Sequence, residues 1–170
     1  MEILASQFRA ARALLGAEQE TVAEWAQLDR QKIGGLETAR FRLYSSAAER
    51  LQRTYEKNDV EFIPPSETQG AGVRWRKPGR EDKFRGAQFR AARAMANMSI
   101  RDIQEVGGVN RNFIARLEGG KFGAVNLESI RKLEAVLREK NVVLTPEGET
   151  WGAGVSWSAV NPFPAQARSS

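Results

Sequence analysis

The strongest constraint on this chain is that it states one sequence twice. Gln7-Phe-Arg-Ala-Ala-Arg-Ala13 returns unchanged as Gln88-Phe-Arg-Ala-Ala-Arg-Ala94, an offset of 81 residues. The register persists, because Ile33-Gly-Gly-Leu-Glu37 is matched by Ile114-Ala-Arg-Leu-Glu118. One inserted residue near Phe122 to Leu127 moves the offset to 82, and Gly70-Ala-Gly-Val-Arg-Trp75 is answered by Gly152-Ala-Gly-Val-Ser-Trp157. Two long copies describe a duplicated small domain, whereas solenoids stack three or more shorter units. The 170 residues therefore divide into a first domain at 1–77, a linker at 78–82, a second domain at 83–158 and a tail at 159–170. The tail is Pro- and Ser-rich without periodicity and is expected to be disordered. Domains this small bury little core alone, so each is expected to lean on the other.

Composition narrows the function classes. The chain has no cysteine and no histidine, which removes disulfides, thiolate metal sites and the commonest general base. No paired acidic motif, phosphate-cradling Gly-rich loop or nucleophile–base pattern is present, so neither an enzyme nor a cofactor is expected. The absence of a signal pattern or a long apolar run points to a cytoplasmic, soluble protein without membrane contact. A net charge of +5 favours an anionic partner. The excess is uneven: Met1 to Lys77 carries 12 basic and 11 acidic residues, whereas Lys83 to Ser158 carries 12 and 8.

Helical spacing places Phe8, Ala11, Leu14 and Leu15 on one face of a helix over Ala5 to Leu15, which Gly16 ends. A second helix over Glu18 to Ala26 has Val22, Trp25 and Ala26 as its apolar face, with Trp25 expected in the core. Asp29 is suited to cap a third, Arg30 to Glu37, and Ser45 or Ser46 a fourth running to about Lys57. Short helices with a tight turn before the third outline a helix-turn-helix. Val60 to Pro64 and Gly72 to Arg76 then read as strands of a hairpin. The second half replays this order with helices at Gly86 to Ala96, Ser99 to Val106, Asn110 to Glu118 and Leu127 to Lys140, and strands at Val142 to Thr145 and Gly154 to Trp157. The fold expected is mainly α with a small β component. An isolated hairpin is marginal in water. Either the two hairpins pair into one four-stranded sheet, giving an intramolecular pseudo-dimer, or each packs only on its own helices.

The run Gln7 to Gly16, then Gln19, Val22, Ala23 and Trp25, then Ile33, Leu36 and Glu37, resembles the five-helix, lambda-repressor-like helix-turn-helix of the Cro and phage-repressor (XRE) family. The second copy resembles it through Arg93, Ile103, Val109 to Ile114 and Leu117 to Lys121. The trailing strand segments are similar to a short subgroup common in alphaproteobacteria. Together the likeness spans about 150 residues of the chain. It implies Arg–carboxylate pairs, Arg12 with Glu37 and Arg93 with Glu118, that tie the first helix of each copy to the third. It also implies that the third helix enters the major groove of double-stranded DNA.

On that basis Asn110, Arg111, Asn112, Phe113 and Arg116 are the expected base readers of the second copy, since Arg suits guanine, Asn suits adenine and Phe the thymine methyl. Arg30, Gln31 and Lys32 are their counterparts in the first. Ser99, Arg101 and Lys121, with Gln19, Arg40 and Arg42, are the expected phosphate contacts. The first copy is the poorer reader, because Gly34 and Gly35 weaken its helix and Glu18 and Asp29 oppose phosphate. The function expected is a sequence-specific, repressor-like transcriptional regulator acting as a monomeric pseudo-dimer or a homodimer. The alternative is a protein-interaction module, such as an antitoxin or anti-activator, whose first domain grips a partner protein through Trp25, Phe41 and Tyr44.

Overall fold

The computed structural model describes residues 2–163. The elements follow in the order α1 (Glu2–Leu15), α2 (Gln19–Ala26), α3 (Arg30–Glu37), α4 (Ser46–Lys57), β1 (Val60–Ile63), β2 (Gly72–Trp75), α5 (Gly86–Met95), α6 (Ile100–Gly107), α7 (Arg111–Glu118), α8 (Leu127–Glu139), β3 (Val142–Thr145) and β4 (Gly154–Trp157). The fold is mainly α with one small antiparallel sheet. None of the described helices is long and apolar enough to cross a membrane.

Local chemistry sets the boundaries. Asp29 accepts the Lys32 amide at 2.7 Å and Ser45 the Ala48 amide at 3.2 Å, each satisfying a donor that a helix start leaves over. Ser99 and Asp102 form a reciprocal capping box on α6. The caps Ser45 and Asn126 stand 81 residues apart, but the buried faces that follow, Ala48 and Leu51 against Ile130 and Leu133, stand 82 apart. The extra residue of the second half therefore lies in the first turn of α8.

The linker is not a loose tether. Asp82 accepts the Ala87 and Gln88 amides at 2.8 and 3.1 Å and so caps α5. Arg80 stacks on Trp75 at 3.8 Å, and the Gly79 amide donates to Glu147 at 2.8 Å. Within the described residues, the Phe163 ring packs edge-on against Trp157 with centroids 5.2 Å apart. An aromatic edge against a buried indole removes apolar surface that a polar tail lacks. Residues 164–170 of the expected disordered tail lie outside the described residues.

The strand order is β1-β2-β4-β3, so the two hairpins pair through β2 and β4, with Val73 opposite Val155. Glycine is required at this seam. A Cβ on Gly72 would stand 2.3 Å from the Val155 carbonyl oxygen, and one on Gly154 would stand 2.1 Å from that of Val73. The loops also cross. Gln69 hydrogen-bonds Ser156 of the other half at 2.5 Å, and its positional equivalent Trp151 covers Arg74, the equivalent of Ser156.

The unchanged heptapeptide forms the second seam. Helices α1 and α5 make the most extensive helix–helix contact in the molecule, with Ala10, Ala11, Ala91 and Ala92 fully buried. Gln7 donates to the carbonyls of Gly72 at 2.9 Å and Ile63 at 3.2 Å, and Gln88 to those of Gly154 at 2.9 Å and Thr145 at 3.0 Å. Arg9 reaches the other half, donating to Ala94 at 2.9 Å and Met95 at 3.1 Å, and Arg90 returns the contact to Ala13 at 2.6 Å. A self-complementary interface uses the same surface from both sides, so each of these residues is constrained in both copies.

The core runs unbroken through both halves. Within it, Tyr55 is fully buried against Phe8 and Phe62, and its hydroxyl is the one buried side-chain polar atom without a partner among the described residues. Burial, then the nearby Glu37 charge, pushes its pKa far up, so the phenol stays neutral. Leu137 occupies the equivalent place in α8. Tyr55→Phe removes an unsatisfied hydroxyl at constant ring volume. It is expected to raise stability by about 1 kcal/mol, read as a rise of about 2–4 °C in Tm by calorimetry.

Candidate nucleic-acid interface

Helix α7 begins at Arg111, and Asn110 is its cap, accepting the Asn112 amide at 2.8 Å and the Phe113 amide at 3.3 Å. Its carbonyl oxygen is thereby committed, which corrects the expectation that the whole Asn110 amide is free to read adenine. Arg111, Asn112 and Arg116 are exposed, and among the described residues neither arginine has a carboxylate within ion-pairing distance. Phe113 is half-buried, its ring 5.3 Å from that of Phe122. Its ring is engaged by this packing, which departs from the expectation of a free probe for a thymine methyl. Arg116 extends over the same Phe122 ring at 4.6 Å, which holds the guanidinium without neutralising it.

The helix is held from beneath. Arg93 and Glu118 form a bidentate pair at 2.7 and 2.8 Å, with Glu118 buried. Arg90 Nη1 donates to the Glu118 carbonyl at 2.8 Å while its Nε holds Ala13 of the other half. In the first half Arg12 meets Glu37 at 2.6 and 3.0 Å, and Arg9 Nη1 takes the Glu37 carbonyl at 2.6 Å. Burial opposes the Arg12 charge, but the Glu37 hydrogen bonds and field outweigh it and raise the Arg12 pKa. Burial also lowers that of Arg9, with Glu37 opposing. Each of Arg9 and Arg90 thus bridges the carboxyl end of its own third helix and that of the other half's first helix. Helix ends carry partial negative charge, and one guanidinium neutralises two of them.

The first half presents a different surface. Arg30 is exposed but paired with Glu20 at 3.0 Å. Glu20 stands where the second half has Arg101, so the charge at this position is reversed between the halves. Gln31 is exposed, whereas Lys32 lies over the Phe41 ring at 4.9 Å. Gly35 exists for that ring, because a Cβ there would stand 2.6 Å from Phe41. Gln19 turns inward and donates to Glu37 at 2.9 Å, so its amide buttresses the ion pair and is not available to phosphate. Arg40 and Arg42 are exposed on the loop after α3, beside the exposed Leu43 and Tyr44.

Of the second-half phosphate candidates, Ser99 is the α6 cap, its hydroxyl oxygen taking the Asp102 amide at 3.0 Å. The Ser99 backbone amide and hydroxyl hold the Asp102 carboxyl below its usual pKa, so a fixed negative charge sits at that helix start. Arg101 is exposed and paired along the helix with Glu105 at 2.8 Å. Lys121 is exposed and has no carboxylate within ion-pairing distance among the described residues. Trp25 corrects a further expectation. It is 45% exposed at the end of α2, and its equivalent Val106 is exposed too. The buried face of α2 is Val22, Ala23 and Ala26, and Trp25 lies at the edge of that arc. Comparisons of the chain with family models, with curated proteins and with solved structures find no match.

Proposed function

We propose that the protein is a sequence-specific, double-stranded-DNA-binding regulator of the repressor type, built as two unlike helix-turn-helix readers in one chain. The observation that carries this reading is the exposed Arg111, Asn112 and Arg116 face of α7, free of carboxylate partners among the described residues and anchored by Arg93–Glu118. Arginine and asparagine on the first turns of an anchored helix match the guanine and adenine edges of the major groove. Helix α3 adds Gln31 and a partly neutralised Arg30, so its contribution is smaller. The α1–α5 and β2–β4 seams support both readers presenting as one unit. The preferred site is then two unlike half-sites about 10 base pairs apart, one helical turn.

Selection from random duplexes followed by gel shift tests this reading. Arg111→Ala is expected to weaken the selected site by about 10- to 100-fold and to relax one base position. Lys121→Ala is expected to weaken all sequences alike and to lower the salt slope by about one. A perfect inverted repeat bound by a monomeric chain, or no selected sequence at all, refutes the reading.

A further inference from the structure

The first half has a groove between the end of α2 and the outer side of α4, about 480 Å³ in volume. It is lined by Trp25 and Ala26 and by Glu49, Arg50, Arg53 and Lys57. At the equivalent place in the second half the two helices close on each other, since a Cβ on Gly107 would stand 2.1 Å from a Val136 methyl. The side chains differ as well: Val106 replaces Trp25, Ala135 replaces Arg53 and Glu139 replaces Lys57. The groove is therefore a feature of one copy, not a property of the repeated fold.

Its chemistry is specific. Arg50 and Lys57 flank an exposed indole, and the third cation, Arg53, is partly neutralised by the one lining carboxylate, Glu49, at 2.5 Å, so the lining keeps a net positive charge. Arg50 is steadied by the Gln27 carbonyl at 3.4 Å. Duplex DNA offers phosphates on convex ridges and keeps its base faces stacked, so it satisfies the cations but leaves the indole wet. A peptide with carboxylates and a large apolar side chain satisfies both, through charge-assisted hydrogen bonds and an anchor against the ring.

We propose that the Trp25 groove docks an acidic peptide segment bearing a large apolar side chain, and so joins a partner protein to the first half. This inference is independent of DNA reading by α7.

Fluorescence anisotropy on the full-length chain tests it with three labelled short peptides: one rich in Asp and Glu with Leu and Phe, one with its carboxylates changed to amides, and one with its apolar residues changed to Ser. The first is expected to bind at least about tenfold tighter than either control. Trp25→Ala and the charge reversal Arg53→Glu are each expected to remove that preference, while Val106→Ala leaves it intact. Circular dichroism and Tm are read on each variant, and because these positions are exposed both are expected to be unchanged. Equal binding of the three peptides, or preference that survives Trp25→Ala, overturns the proposal. Loss of binding to a labelled duplex in the groove variants, without peptide preference in the parent, also overturns it by assigning the groove to nucleic acid.

Discussion

Replacing Glu37 with alanine is expected to cost about 3–5 kcal/mol of stability, because it leaves the half-buried Arg12 guanidinium without its counter-charge. Glu37 is 3% exposed, and its carboxylate accepts three hydrogen bonds, two from Arg12 and one from Gln19. The Arg12 side chain keeps 24% of its exposure, so water recovers part of the loss and the lower end of the range applies. In calorimetry that is a fall of about 6–12 °C in Tm. The double substitution Arg12→Met with Glu37→Leu is expected to restore most of it, since an apolar pair of similar size removes both desolvated charges. Glu118→Ala is expected to cost less, because among the described residues the Glu118 carboxylate accepts only from Arg93, and Glu118 is more exposed. A loss below about 1 kcal/mol for Glu37→Ala, the level of a surface pair, would show that this contact does not hold α3 on α1.

A comparable loss is expected from one methyl group at the sheet seam. The Cβ of Gly154→Ala would lie 2.1 Å from the Val73 carbonyl oxygen and 2.6 Å from the Arg74 Cα, both backbone atoms of a central strand. Neither can rotate away, so β2 and β4 must separate, at a cost of about 3 kcal/mol, the upper range for overpacking. Gly123→Ala is the control, because a Cβ there meets nothing within 4 Å. Urea denaturation is expected to show a large fall in midpoint for Gly154→Ala and Gly72→Ala and little change for Gly123→Ala. Equal midpoints across all three would sink the β2–β4 seam as the joint between halves.

Much of the local structure is legible in the residues alone. The third helix reads as Arg30 to Glu37 from its Asp29 cap and its Ile33 and Leu36 spacing, and that is where it lies. Hairpin strands follow from short apolar runs bounded by Pro and Gly. The candidate site is legible only in part. Arg111, Asn112 and Arg116 stand exposed on α7, but Asn110 is spent on capping and Phe113 on packing against Phe122. Gln19 could not be recognised as a buttress, because nothing at positions near it announces that Glu37, 18 residues on, lies within its reach. Size and spacing place Trp25 in the core, whereas the buried face of α2 is Val22, Ala23 and Ala26, and the matching position in the second half, Val106, is exposed as well.

What the residues determine by themselves is the duplication, the order of the elements and their caps, since these rest on periodicity and on contacts a few positions apart. Only the tertiary structure decides that the repeated Gln-Phe-Arg-Ala-Ala-Arg-Ala segment is a joint. It also decides that Arg9 and Arg90 exchange partners across that joint, and that one copy opens a basic groove where the other is closed. The physical reason is reach: a side chain extends only a few ångströms, so its partner depends on helix crossing angles set by the whole core. No stretch of sequence encodes those angles locally.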